Sequence, residues 1–347
     1  MSKSSLGISI DTLYRRLVAE TRQSHAHGRR KGESFRAWQR RLREKLLELL
    51  AIAGKPRPAP PVRFVEEARC DGYVRRRGYM RAADELAVPF YLLEPDPKPA
   101  GKMGVCLAAH GHGPGKVLPV GIAPDEHARK LIDEGERDYG VQAARQGYLT
   151  ISPDWRGFGE LMLAEDVNAD RSGCWQLAMR AMQLGRPLLG QRVSDAMQLL
   201  DWALARKDVD GRRVVMTGNS GGGTMTLFAS AVDRRITAAA PSCYFCTFAD
   251  SIMAMWHCPC NFVPGIQAVA EMADLGGLIA PRPMLIIAGT KDTIFPIDGV
   301  RAGFARLKRI YAEAAAADNV ELYEGAGGHR YYAARVWDFF REKLPAD

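Results

Sequence analysis

No run of 18 or more apolar residues occurs in the 347 residues, so the chain has no candidate membrane-spanning helix. The start, Met1-Ser2-Lys3-Ser4-Ser5-Leu6, lacks the apolar core of a secretory signal, and the chain reads as cytoplasmic. Cysteine is sparse and odd in number. Seven thiols in such a chain argue for reduced side chains rather than a disulfide framework. Four of them, Cys243, Cys246, Cys258 and Cys260, lie close in sequence beside His257, but Cys-x-Cys is poor spacing for a zinc chelate. They read first as small buried apolar residues, with a disulfide or a zinc site as the alternatives, and no metal or other cofactor is expected. No glycine-rich stretch ends in Gly-Lys-Ser or Gly-Lys-Thr, which excludes the common phosphate-binding loop.

Basic surplus is also missing from most of the chain. The formal net charge is +8, yet residues 1–60 hold 14 Lys and Arg against 5 Asp and Glu, which leaves the remainder near neutral. The excess sits on an N-terminal arm and reads as a solvated helix face, so no nucleic-acid partner is expected. Within the arm Phe35, Trp38, Leu42, Leu46 and Leu49 recur at steps of three and four, the pattern of an amphipathic helix laid on a larger body. Gly54-Lys55-Pro56-Arg57-Pro58-Ala59-Pro60-Pro61 ends it, because proline cannot continue a helix. The domain reading is therefore a basic helical extension over 1–60 and a main body over 61–347.

The body opens with strand-like segments at 62–65, 73–79 and 88–93, which look antiparallel. A continuous apolar run, Met103–Ala109, follows and has the character of a strand buried on both faces. Strands and helices then alternate: strand 148–152, helical region 174–206, strand 214–219 and its helix, strands 236–241, 283–289 and 320–324, and a closing helix over 331–344. This order predicts an α/β fold with a mostly parallel central sheet and helices on both faces. Residues 242–275, rich in Cys, Met, Trp and Phe, break the alternation. They read as a lid-like insertion or substrate wall, or else as a crossover made apolar by packing.

Chemistry is concentrated at Val214-Val215-Met216-Thr217-Gly218-Asn219-Ser220-Gly221-Gly222-Gly223. A β-branched run enters Gly-x-Ser-x-Gly and leaves it into a helix, the context of a nucleophile elbow, in which Cβ atoms at Gly218 or Gly222 would clash. A serine hydroxyl needs an adjacent base oriented by a carboxylate. Asp292 follows the 283–289 strand and His329 follows the last strand, in the order Ser, acid, His; Asp298 is the alternative acid. The oxyanion requires donors, expected from the N–H of Gly221 and from His112, with Gly111 second, in His110-Gly111-His112-Gly113. His110, Trp256 and Phe295 are the candidate substrate-pocket residues.

These stretches, with Asp154-x-Arg156-Gly157-x-Gly159 and Gly289-Thr290-Lys291-Asp292, resemble the α/β-hydrolase superfamily. Within it the chain is most similar to acetyl xylan esterase-like and dienelactone hydrolase-like esterases, over about residues 62–345. The resemblance implies Ser220, Asp292 and His329 as a triad. It also implies a structural Asp154–Gly157 turn in which Arg156 ties loops together, and a cofactor-free hydrolase of small-molecule esters, acetyl esters first. Serine stands where the dienelactone enzymes carry cysteine, which favours ordinary carboxylic esters. A homo-oligomer is compatible with the sequence. The competing readings are a peptidase or thioesterase on the same triad, and a non-catalytic scaffold whose arm binds an anionic partner.

Overall fold

The computed structural model describes residues 7–28, 30–53, 58–169 and 172–345. The first six residues, Arg29 and positions 54–57 of the proline-rich linker lie outside the described residues.

Among the described residues nine strands form one sheet: β1 (Val62–Cys70), β2 (Tyr73–Arg81), β3 (Ala87–Pro95), β4 (Met103–Ala109), β5 (Tyr148–Pro153), β6 (Val209–Asn219), β7 (Ala238–Ser242), β8 (Met284–Gly289) and β9 (Val320–Gly325). Their spatial order is 1-2-3-5-4-6-7-8-9. The β1–β2, β2–β3 and β3–β5 pairs are antiparallel, and every pair from β5–β4 onward to β8–β9 is parallel. The parallel strands read as unbroken apolar runs because both of their faces are covered. Val105, Leu107 and Ala109 of β4 enter one core with Val214 and Met216 of β6, while Cys106, Ala108 and Val215 enter the other. The alternation follows from the two-residue period of a strand. Helices Leu188–Leu204, Gly221–Val232 and Ile297–Glu313 feed the first core, and Tyr139–Arg145 and Val336–Lys343 feed the second.

Helix Phe35–Leu49 packs as its periodicity predicts, burying Trp38, Leu42 and Leu46 in the first core. Polar groups hold it in register. Gln39 Nε2 donates to the carbonyls of Gly277 (2.8 Å) and Ala280 (2.7 Å), Arg43 Nε to Ala231 O (3.0 Å), and Trp38 Nε1 to His25 O (2.9 Å). Part of the arm's positive charge is thus spent on backbone carbonyls of the body. No described helix is long and apolar enough to cross a membrane.

Two helical expectations shift at their ends. The region 174–206 is two helices, Gly173–Gln183 and Leu188–Leu204, because Gly185 turns at φ +64° and Pro187 lacks the N–H needed for continuation. The last helix begins at Val336 rather than 331, since Tyr331 is instead buried with its hydroxyl 2.9 Å from Thr217 Oγ1. Segment 242–275 carries only the short 3-10 helices Pro259–Asn261 and Ile266–Ala268 before the short helix Met272–Gly277, so it is not one continuous helical crossover.

Candidate active site

The carboxyl ends of β4, β6, β7, β8 and β9 lie side by side, where an open α/β sheet presents its ligand. Ser220 follows β6 at φ 58° and ψ −119°, a conformation a non-glycine residue adopts only at a cost of about 1–3 kcal/mol. The surrounding structure holds it there. Its N–H donates to Ser242 O (2.9 Å), and its carbonyl accepts from the N–H of Thr224 (2.9 Å) in the helix behind. The flanking glycines are obligatory, because a Cβ on Gly218 or Gly222 would run into the carbonyl oxygen of Ala109 on β4.

Asp292 and His329 come from the loops after β8 and β9, which are joined by Thr290 N–H to Gly325 O (2.8 Å) and Lys291 N–H to Gly327 O (2.9 Å). His329 Nδ1 lies 2.8 Å from Asp292 Oδ2, and the carboxylate can only accept, so Nε2 is the ring nitrogen left to take a proton. The other oxygen, Oδ1, accepts from the N–H groups of Ile294 (2.8 Å) and Phe295 (3.2 Å). Burial pushes the Asp292 carboxyl up, but the hydrogen bond and charge of His329, with those two N–H groups, outweigh it and hold it below the ordinary range. Phe295 stacks on the His329 ring at 5.9 Å and 22°. Asp298 is not in contention, with its side chain 96% exposed.

Ser220, Gly221, His112, Phe295, Trp256 and His329 all line one cavity of about 310 Å³. A larger apolar cavity of about 550 Å³ lies elsewhere, between helix Ile10–Glu20 and segment 261–268, and contains none of these groups. Ser220 and His329 meet in the smaller one.

A sequence profile of the Abhydrolase family matches residues 4–345. The chain belongs to the Abhydrolase family. A Bacillus subtilis (strain 168) protein named as a hydrolase, YtaP, is 26% identical over 250 residues, covering 70% of this chain and 77% of its own length. Two solved structures share the fold. One, described as an acetyl xylan esterase from Bacteroides fragilis NCTC 9343, superposes with a TM-score of 0.74 at 19% identity over 93% of this chain and 84% of its own. The glucuronoyl esterase from Solibacter usitatus gives 0.67 at 14% identity, over 89% and 93%.

Not every candidate residue of this Abhydrolase-family chain meets the cavity. His110 does not line it, correcting the expectation from its sequence position. It is 1% exposed, its Nε2 accepts the N–H of Trp155 (3.1 Å), and its Nδ1 donates to Gly111 O (2.8 Å). Burial pushes its pKa down to about 4, so the ring is neutral and braces the loop after β4. Gly111 lies just behind Ser220, where a Cβ would stand 2.5 Å from Asn219 O and 3.2 Å from the Ser220 Cβ. Trp256 stands at the rim, 81% exposed, stacked at 5.0 Å and 7° on Trp175.

The Asp154–Gly157 turn is tied as the resemblance implies. Arg156 grips Asp195 through Nε (2.7 Å) and Nη2 (2.8 Å) and reaches Asp84 (2.7 Å), while Lys116 Nζ bridges Asp154 (2.7 Å) and Glu160 (2.6 Å). The sequence reading missed Arg137, Met255, His257, Cys258, Asn261 and Ile294, which also line the cavity. Membership of segment 242–275 was a usable signal for four of them. Nothing local marked Arg137, whose buried Nε has no hydrogen-bond partner among the described residues.

Proposed function

We propose that this chain is a serine carboxylic-ester hydrolase, cofactor-independent at its reacting centre, acting on short-acyl esters such as acetyl esters of sugars. The single observation behind this reading is the placement of a strained, partly exposed Ser220 and a carboxylate-oriented His329 on one small cavity. His329 Nε2 takes the proton as Ser220 Oγ attacks the ester carbonyl, and the negative charge that develops on oxygen is met by backbone N–H groups of Gly221 and the His112 loop. His329 then protonates the departing alkoxide, and water cleaves the acyl-enzyme by the same route. Asp292 keeps the ring in the working tautomer and stabilises its cation.

Substrate size follows from the walls. A cavity of about 310 Å³ is at the small end for ligand sites, which favours a short acyl group. Arg137 on its wall, a cationic donor, favours an alcohol with acceptor oxygens, as a sugar has. Segment 242–275 serves as the substrate wall through Met255, Trp256, His257, Cys258 and Asn261. The extension over 1–60 serves as a structural part of the body over 61–347.

Hydrolysis of p-nitrophenyl acetate, butyrate and octanoate by the wild type and Ser220→Ala tests the reading. The expected result is fastest turnover of acetate, abolished by the substitution. Turnover that survives in Ser220→Ala removes Ser220 as nucleophile.

A further inference from the structure

Three cysteines and a histidine from three separate segments converge against the wall of the catalytic cavity. Cys174 lies in the first turn of helix Gly173–Gln183, Cys258 and Cys260 flank Pro259 in segment 242–275, and His112 belongs to the loop after β4. The three sulfurs and one ring nitrogen of His112 all lie within 4.8 Å of one another. All seven cysteines are free thiols.

The distances suit coordination. Zinc binds thiolate at about 2.3 Å and imidazole at about 2.0–2.1 Å, which puts the sulfur–nitrogen edge of a tetrahedron at roughly 3.5 Å. Cys260 Sγ stands 3.4 Å from His112 Nε2. The electrostatics suit it as well. Arg192, buried at 4% exposure, has its Nη2 3.2 Å from Cys174 Sγ, while its Nε and Nη2 donate to Arg156 O at 2.9 and 2.6 Å. A fixed guanidinium beside thiols favours thiolates. It also offsets the single negative charge that three thiolates leave around a dication. Its N–H donor at sulfur is the kind of outer partner that orients a metal ligand.

We propose that His112, Cys174, Cys258 and Cys260 form a binding site for a soft divalent cation, zinc first. Four protein ligands close a tetrahedron and leave no open position, so the ion is structural. It pins the cavity wall at 258–260 and helix Gly173–Gln183 to the loop that carries His112. Neither cysteine pairing nor Cys-x-Cys spacing alone supports such a site; the set exists only because the fold supplies Cys174 and His112. The proposal is independent of the esterase reading, since the ion takes no part in ester cleavage.

The test reads metal, not activity. Tag-free protein, purified under reducing conditions without chelator, is analysed by mass spectrometry for zinc, expected at one ion per chain. X-ray absorption at the zinc edge is expected to give three sulfur neighbours and one nitrogen neighbour, a readout that needs no variant and so does not depend on a variant's folding. Cobalt(II) replacing zinc should give a thiolate charge-transfer band that is lost in Cys174→Ser and Cys260→Ser and kept in Cys70→Ser, a thiol outside the cluster. The proposal is overturned by reduced wild type that neither carries nor takes up zinc or cobalt, by a zinc edge with only nitrogen and oxygen neighbours, or by a cobalt band that survives both cluster substitutions. A Cys174–Cys260 or Cys258–Cys260 disulfide in the non-reduced protein, with no metal uptake after reduction, overturns it too.

Discussion

Asp292 divides its two oxygens between two tasks: Oδ2 meets His329 Nδ1 at 2.8 Å, and Oδ1 closes its own loop onto the N–H groups of Ile294 and Phe295. The carboxylate that orients the imidazole is itself oriented by backbone. Asparagine at 292 could keep the loop bonds through its carbonyl oxygen, but its amide would face Nδ1 as a donor and impose the wrong tautomer. Asp292→Asn should therefore fold with a nearly unchanged melting temperature while kcat falls on the order of 10⁴-fold. Wild-type kcat in a folded Asp292→Asn would remove Asp292 from the reaction.

Gly222 faces the carbonyl of Ala109 across the elbow with no room for a side-chain atom. Backbone cannot move aside as a flexible side chain can. Gly222→Ala should cost at least about 1–3 kcal/mol of stability and displace Ser220, so a lowered melting temperature and lost esterase activity are expected together. An alanine variant with wild-type melting and turnover would contradict the tight approach of β4 to the elbow.

What could be read from the sequence was what is local or ordered along the chain. The elbow, the alternation of strands and helices, and the succession Ser220, Asp292, His329 are each one-dimensional signals, and the structure puts the last two in hydrogen-bond contact. What could not be read depends on which side of a loop a ring takes, or on which segments meet. His110 turns inward because Trp155, 45 residues on, offers it an N–H. The cysteines adjacent in sequence separate in space: Cys243 Sγ lies 3.1 Å from Arg330 O and Cys246 Sγ 3.8 Å from Pro296 O, whereas Cys258 and Cys260 meet Cys174 and His112. Arg137 reaches the cavity from a loop that no periodicity describes.

The neutral, buried His110 has a consequence for acid stability. Its ordinary pKa of 6.5 is pushed down to about 4 by burial in the fold. Between those values the unfolded chain binds a proton that the folded chain refuses, so stability present above pH 6.5 is lost as pH falls toward 4. The shift corresponds to roughly 3 kcal/mol. His110→Gln retains an acceptor for the Trp155 N–H but cannot titrate. Urea unfolding at pH 7, 5.5 and 4.5 should show a shallower loss in this variant than in the wild type, and equal slopes would show that His110 is not the titrating group.

Trp38 decides whether the N-terminal extension is part of the body or an attachment to it. Its indole is 2% exposed, packs against Gly277 so closely that a Cβ there would stand 2.7 Å from the ring, and donates to His25 O at 2.9 Å. If helix Phe35–Leu49 belongs to the first core, Trp38→Ala leaves a large cavity and a broken hydrogen bond, and costs about 3–5 kcal/mol in the unfolding of the whole chain. Thermal unfolding followed by far-ultraviolet circular dichroism and by loss of ester hydrolysis should then shift together to lower temperature. Two separated transitions, with hydrolysis surviving the first, would mean that the extension melts alone and that the body over 61–347 folds without it.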